Sequence, residues 1–294
     1  MGRTRIANVA IALAVSGTLS PPTGLAAQEP AGIAPSSNWN VDFAPNKCRL
    51  ARVFGEGEDR HLLFFEQYWP SSRLGLTVSG PSFKRWRSRM DTRLKFYSGQ
   101  EAFRTEPFKG DTETFGAAMI YSSVSLSSGT DYSDEEDASL PRLDTSLADE
   151  VEFVWLRQRG KEVRLDTGPL GEAFAVLNQC TKDLLQEWGL DAEKHETATR
   201  LPKWKNEKSI AARIGRAYPT SALNRGEQGI FRMRVMIDEN GRVTDCVIDE
   251  ATIAERLESP ACRVMMDADF EPALDAQGTA FPSYYATSIT YRIG

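Results

Sequence analysis

The pattern of apolar and polar positions is that of short strands from Trp39 onward. Runs rich in β-branched and aromatic residues, such as LLFFEQYW, RLGLTVSG and AAMIYSSVSLS, alternate with stretches of Gly, Pro, Ser and Asp. This pattern predicts a small antiparallel β domain. In the middle of EFVWLRQRGKEVRLD, the pair Arg159-Gly160 predicts a hairpin turn between two of its strands.

The apolar spacing becomes helical after residue 169. Within LGEAFAVLNQCTKDLLQEWGLD the apolar positions recur every three or four residues, at Leu170, Phe174, Leu177, Leu184 and Trp188. This spacing predicts one amphipathic helix, with Gly189 placed to cap its C-terminus. The next stretch, residues 191–213, is polar without a sustained apolar face, which favours a linker.

Strict alternation returns in GIFRMRVMIDENGRVTDC. One face of the predicted strand carries Phe231, Met233, Val235 and Ile237, and the other face carries Arg232 and Arg234. Asn240-Gly241 predicts a tight turn into a second strand. Ser259-Pro260 then predicts a helix start, because serine caps helices and proline suits the first helical position. A last strand is predicted from Tyr284 to Ile293.

These elements predict an α+β protein with two domains. The first is an antiparallel β-rich N-terminal domain over residues 39–190, which ends in one helix. After the linker at 191–213, a small ββαβ domain follows over residues 214–294. The length of 294 residues suits two domains, since a domain usually has roughly 100–150 residues.

The N-terminus has the layout of a secretory signal peptide. Arg3 and Arg5 precede an apolar run of about 14 residues, and small residues follow up to Ala26-Ala27. The prediction is a signal peptide over residues 1–27, a short tether over 28–38 and a periplasmic location. An inner-membrane anchor facing the periplasm is the alternative, although the run is shorter than the ~20 residues that span a bilayer.

Four cysteines remain after such a cleavage: Cys48, Cys180, Cys246 and Cys262. An even number in an exported chain predicts disulfide bonds formed in an oxidising compartment. Three pairings are possible. The pairing Cys48–Cys180 with Cys246–Cys262 keeps each bond within one predicted domain. Unpaired thiols are disfavoured, and so is zinc, because the chain has no C-x-x-C pair.

Two charged segments have more than one interpretation. In residues 84–95 (KRWRSRMDTRLK) basic residues alternate with Trp86, Met90 and Leu94, which predicts a strand with one basic face. A polyanion such as lipopolysaccharide or phosphate suits this face. A solvated face, or a partner for the acidic run 134–137, is the favoured interpretation. The acidic run itself lacks the D-x-D-x-D-G pattern of a calcium loop and is predicted to be a surface loop.

The inventory of catalytic residue types is small. The chain has only two histidines, His61 and His195, neither with an evident nucleophile in its sequence context, and it has no G-x-S-x-G motif. The prediction is therefore no enzyme, no cofactor and no metal. A hydrolase in the N-terminal domain stays an alternative because carboxylates are abundant. The net charge of −6 argues against a general nucleic-acid binder.

A series of short motifs connects the C-terminal sequence to a known family. In chain order they are Tyr218-Pro219, Ala222, Gly229, Asp238 with Gly241, Val243, Leu257, Phe270, Pro272-Ala273 and Gly278. Their order and spacing over about residues 214–294 resemble the C-terminal domain of TonB, the energy transducer of Gram-negative envelopes. Cys246 and Cys262 also fit a subgroup of this family in which the second strand is disulfide-linked to the helix.

The resemblance implies a protein of envelope transport that binds an extended partner segment by adding it to a sheet edge. The implied partner is an outer-membrane TonB-dependent transporter, and contact with the membrane is indirect unless the N-terminus is retained as an anchor. The implied edge is the last strand. The candidate partner-binding residues are Tyr218, Pro219, Ser283, Tyr285, Thr287, Ile289 and Tyr291.

Departures from the family pattern leave an alternative open. Asp249-Glu250-Ala251 stands where the family often has Ser-Ser-Gly, and no long Pro-rich spacer precedes the domain. The alternative is a structural or stress-related envelope protein that reuses the fold without binding a transporter. In that case Tyr284, Tyr285 and Tyr291 have only a packing role.

Overall fold

The computed structural model describes residues 30–127, 140–250 and 259–292. The predicted signal peptide and the acidic run 134–137 lie outside the described residues. Residues from Ala31 onward form one compact unit. The architecture is α+β, as the sequence predicts, with antiparallel pairing between all the named strands.

Ten strands and two helices make up the N-terminal part of the described chain. The strands are β1 (Asn40–Ala44), β2 (Lys47–Phe54), β3 (His61–Gln67), β4 (Leu74–Ser79), β5 (Thr92–Lys95), β6 (Phe103–Thr105), β7 (Phe108–Thr112), β8 (Gly116–Val124), β9 (Val154–Gln158) and β10 (Lys161–Leu165). The helices are α1 (Thr145–Asp149) and α2 (Gly171–Glu187). Short 3₁₀ helices also occur, at Gly57–Asp59 and Pro81–Phe83.

The N-terminal strands form two sheets around a shared core. One sheet has the order β1-β2-β3-β4-β8-β7, and the other has the order β10-β9-β5-β6. Leu63 and Leu76 of the first sheet, Leu94 and Leu156 of the second, and Phe174 of α2 are all buried in the same cluster. The helix therefore closes this core, as its apolar spacing predicts.

Turn residues behave largely as their chemistry requires. Arg159 and Gly160 both have positive φ, at 49° and 74°, and join β9 to β10 as predicted. After α2, Gly189 has a φ of 76°, the left-handed conformation that glycine adopts at helix ends.

The C-terminal part begins with small elements. They are α3 (Ala192–Glu196), β11 (Lys203–Trp204), α4 (Glu207–Arg216) and α5 (Thr220–Arg225). The larger elements follow: β12 (Gly229–Ile237), β13 (Val243–Glu250), α6 (Ala261–Met265), β14 (Phe270–Glu271), β15 (Ala273–Leu274), β16 (Ala280–Phe281) and β17 (Ser283–Tyr291). The predicted order of helical turn, β, β, α, β is therefore present, with short extra strands between α6 and β17.

The segment 191–213, predicted as a linker, contains α3, β11 and most of α4. Ile210 and Ile214 lie one helical turn apart on α4 and are buried in the C-terminal core. His195 of α3 is fully buried. Two isoleucines on one face of a short helix are too few to stand out in a polar sequence, but they suffice to anchor that helix.

The prediction of one strand over residues 84–95 is wrong. Only β5 is extended, and the residues before it form a turn. The side chain of Gln158 holds this turn, because its amide accepts from the N–H of Arg87 and donates to the carbonyls of Arg87 and Met90. Trp86 is buried with its ring edge-to-face against Phe83, 5.1 Å between centroids. Tertiary contacts to a tryptophan thus override the alternating pattern.

Candidate partner-binding edge

The C-terminal sheet has three strands in the order β13-β12-β17, so β17 lies at one edge. Its nine residues pair with the whole of β12, from Gly229 opposite Tyr291 to Ile237 opposite Ser283. In the described part of the chain, no main-chain group of β17 bonds to a main chain other than that of β12. An edge strand of this length presents a row of N–H and C=O groups to which another chain can pair.

The hairpin between β12 and β13 fixes the direction of these groups. Asp238 donates its N–H to the carbonyl of Arg242 across the hairpin, 2.9 Å away. Because main-chain direction alternates along a strand, even-numbered residues of β12 face β13 and odd-numbered residues face β17. The register pairs odd residues with odd. The groups directed away from β12 therefore belong to the even residues of β17, Tyr284, Ala286, Ser288 and Thr290.

The turn of this hairpin differs in detail from the expected form. Gly241 has a φ of 80°, but Asn240 does not have positive φ. Instead, the carboxylate of Asp238 accepts from the N–H groups of Asn240 and Arg242, at 2.9 and 2.8 Å. The pairing also shifts by one residue beside Ile237. The loop is thus a capped turn with a bulge, and only the glycine needs the left-handed conformation.

The tyrosines singled out by the sequence pack against the C-terminal core. Tyr285 lies 5.3 Å from both Trp204 and Phe270, measured between ring centroids. Tyr291 lies 4.8 Å from Tyr218 and is buried. Burial raises the pKa of Tyr285 and the pKa of Tyr291 above the ordinary value, so both phenols are neutral at physiological pH.

The other candidate residues occupy varied surroundings. Thr287 and Ile289 are half-buried on the same face of β17. Pro219 is half-buried just before α5, and the hydroxyl of Tyr218 donates to the carbonyl of Glu227. Ser283 is fully buried. The structure thus places the β17 candidates on one face of the edge strand, with Tyr218 against Tyr291 near its C-terminal end. The Ser283 side chain is withdrawn from solvent.

The arginine face of the sheet is covered, not solvated. Arg232 is 7% exposed, and its guanidinium donates to the carbonyl of Ser122 at 2.7 Å and to the hydroxyl of Ser288. It also lies 5.1 Å from the ring of Tyr68. Arg234 lies over the ring of Trp188, 3.8 Å from its centroid. Cation–π contacts and hydrogen bonds therefore join this face to β8 and to residues of the N-terminal β region.

Each histidine contacts a serine, which the sequence did not reveal. His195 Nδ1 lies 2.6 Å from the carbonyl of Asp191 and must donate to it, so Nε2 accepts from the hydroxyl of Ser283 at 2.8 Å. His61 has the same arrangement, with the carbonyl of Asp59 and the hydroxyl of Ser82. The serines are 88 and 21 residues away from their histidines, beyond the reach of any short motif.

These pairs resemble a nucleophile and its base only in part. The ring is oriented by a carbonyl and not by a carboxylate, and burial lowers the pKa of both histidines. At the His195 pair both side chains are fully buried, so no substrate reaches the serine. The pairs satisfy buried polar groups within the fold.

Of the three possible cysteine pairings, the structure contains the one in which each disulfide lies within one predicted domain. Cys48 of β2 is bonded to Cys180 of α2, and Cys246 of β13 is bonded to Cys262 of α6. The second bond links the second strand of the hairpin to the helix, as the resemblance implies. Among the residues that the structure describes, no group of three or more His, Cys, Asp or Glu side chains is arranged to hold a metal ion.

Comparison with known proteins agrees with the C-terminal geometry. Residues 215–293 match the family model described as "Gram-negative bacterial TonB protein C-terminal", which represents the C-terminal domain of TonB. This match confirms the resemblance. It covers about a quarter of the chain and does not extend to the N-terminal β region. No curated protein shows significant similarity to the chain. Within the described ranges, no helix is long and apolar enough to cross a membrane.

Proposed function

We propose that the TonB-like domain binds an extended segment of a partner protein, which pairs with β17 as a fourth strand of the sheet. The observation that carries this proposal is the position of β17. It is a nine-residue edge strand that is hydrogen-bonded on one side only within the described chain. Strand addition is a common mode of peptide recognition, in which main-chain hydrogen bonds supply affinity and alternate side chains supply specificity.

The proposed contacts divide between main chain and side chains. Tyr284, Ala286, Ser288 and Thr290 supply the main-chain donors and acceptors. The side chains of the partner contact a surface formed by Tyr291 with Tyr218 near one end of β17, by Tyr285 nearer the other end, and by the half-buried Thr287 and Ile289 between them. Pro219 and Ser283 shape the two ends of this surface. No charged side chain stands among these residues, which suits an uncharged extended segment.

The proposed setting is the periplasm of a Gram-negative bacterium, and the proposed partner is an outer-membrane TonB-dependent transporter. The family match supports a role in envelope transport without catalysis. A structural envelope protein is the competing function, and it requires no partner at β17. The experiment below separates the two.

The experiment compares Ser288→Pro with Ser288→Ala. Both variants lose the hydroxyl that contacts Arg232, but only proline also removes the outward N–H. Fluorescently labelled peptides from the periplasmic plug segments of outer-membrane transporters are titrated with each protein. We expect Ser288→Ala to bind as the wild type does, and Ser288→Pro to bind about tenfold more weakly, the effect of ~1.4 kcal/mol.

Controls make the outcome decisive. Thermal unfolding of both variants must show that the sheet is intact. Equal affinities of the two variants would exclude main-chain pairing at this position. Absence of binding by the wild type to every transporter segment would favour the structural alternative.

A further inference from the structure

A second surface of the molecule has a strongly one-sided charge. A cleft of about 490 Å³ lies beside the turn that precedes β5, on the N-terminal β region. Six cationic side chains line it: Lys84, Arg85, Arg87, Lys109, Arg159 and Lys161. Among the described residues, no carboxylate lines it. We call this surface the basic cleft.

The cations of the basic cleft lack the carboxylate partners that a neighbouring cation has. Arg157, two residues from Arg159, forms an ion pair with Glu162 at 3.3 Å. By contrast, none of the six cleft residues forms an ion pair with any residue in the ranges 30–127, 140–250 and 259–292. All six are exposed. Gathering like charges without neutralisation is unfavourable by itself, so their convergence indicates a counter-charge from outside.

The cleft is built by specific interactions. The ammonium group of Lys161 donates to the carbonyl of Arg85 at 2.9 Å, and that of Lys109 donates to the carbonyl of Lys84 at 3.2 Å. The side chain of Gln158, only 3% exposed, forms hydrogen bonds to the main chain of Arg87 in the same turn. These contacts fix the main chain that carries the arginines, which reduces the entropy lost when a ligand binds.

A buried tryptophan also anchors this turn. Trp86 lines the cleft and is 1% exposed, and its indole N–H has no hydrogen-bond partner in the described structure. Its ring packs against Phe83, with 5.1 Å between ring centroids, and so anchors the turn that carries Arg85 and Arg87.

We propose that the basic cleft binds a ligand carrying two or more phosphate groups. The guanidinium groups of Arg85, Arg87 and Arg159 present planar donors that match phosphate oxygens in pairs. The size of the cleft suits a compact diphosphorylated or oligophosphorylated headgroup. Such chemistry comes either from a free oligophosphate or from a phosphorylated glycolipid of the membrane.

The test uses the full chain and two probes. Tripolyphosphate is titrated by isothermal calorimetry at 50 and 300 mM NaCl. Vesicles of phosphatidylcholine, with and without diphosphorylated lipid A, are tested by flotation. We expect binding to at least one probe, weakened by the higher salt concentration because screening reduces charge–charge attraction. Binding to tripolyphosphate alone identifies a free oligophosphate as the source, and binding to lipid A vesicles identifies the glycolipid.

Matched variants separate the basic cleft from general surface charge. The triple variant Arg85→Gln, Arg87→Gln, Arg159→Gln leaves the two structural lysines in place. The control is Lys208→Gln, Arg216→Gln, Arg263→Gln, which removes three exposed cations elsewhere. We expect the cleft variant to bind at least about tenfold more weakly and the control to change less than about twofold. The single variant Arg159→Gln gives the same comparison if thermal unfolding shows that the triple variant is not folded.

Three results would overturn the proposal. One is failure of the wild type to bind either probe. Another is equal loss of affinity in the cleft variant and the control. The third is binding only after neutralisation of the acidic run 134–137, which would assign the basic cleft to that segment of the same chain.

Discussion

Both faces of the C-terminal sheet are covered by other parts of the chain, but through different interactions. On one face, Phe231, Met233, Val235 and Ile237 are buried beneath the helices. On the other face, Arg232 and Arg234 are covered by Tyr68, Trp188 and the main-chain carbonyl of Ser122. Alternation alone distinguishes the faces but does not reveal that both are covered. The comparison shows that arginines on one face of a strand do not by themselves mean that this face is exposed to solvent.

The largest expected effect is on the apolar face. Met233→Ala removes a fully buried side chain and leaves a cavity, so the free energy of unfolding should fall by about 2–5 kcal/mol. Urea unfolding followed by circular dichroism measures this change. The matched control is Met266→Ala, because Met266 is 48% exposed and its loss should change stability by less than about 0.5 kcal/mol. Similar losses in both variants would contradict the assignment of the apolar face as core.

A smaller effect is expected on the arginine face. Arg234→Met introduces an apolar side chain of similar length and removes the cation that lies over Trp188. The expected loss is about 1 kcal/mol, within the usual range of cation–π contacts. A double-mutant cycle with Trp188→Leu, measured by urea unfolding, isolates the contact. A coupling energy near zero would mean that the two side chains meet without stabilising the fold.

The smallest effect concerns pH at the edge of the sheet. Burial lowers the pKa of His195 in the folded state, while the nearby Asp191 opposes this shift in part. The unfolded chain therefore binds a proton at a higher pH than the folded chain does. The contribution is fully present above the unfolded pKa, about 6.5, and is lost as pH falls through the folded pKa. The slope of stability against pH below about 6.5 should be smaller in His195→Gln than in the wild type. Identical slopes would show that His195 does not titrate on unfolding.

Local patterns predicted much of the fold. The Arg159-Gly160 turn, the helix capped at Gly189 and the ββαβ order all depend on neighbours within a few residues, and the structure contains each of them. Spacing of single motifs also pointed to the TonB family, which the family model supports independently. For the candidate edge, the sequence identified the strand and its alternating side chains.

Features that depend on distant contacts were not predictable in this way. The turn at residues 84–90 exists because Gln158 binds its main chain, 71 residues away from Arg87. The covering of Arg232 requires a carbonyl 110 residues distant. The distinction between odd and even residues of β17 needs the direction of one hydrogen bond in the hairpin. Each depends on register or tertiary packing, which composition and periodicity do not encode.

The Cys48–Cys180 bond has a consequence for how the protein withstands proteolysis. It closes a covalent loop with a sequence separation of 132 residues, which encloses β3 to β10. A single peptide-bond cleavage anywhere inside this loop leaves the two fragments joined through sulfur. A chain nicked there keeps its TonB-like domain attached to the rest of the molecule, and it migrates as two pieces only after reduction.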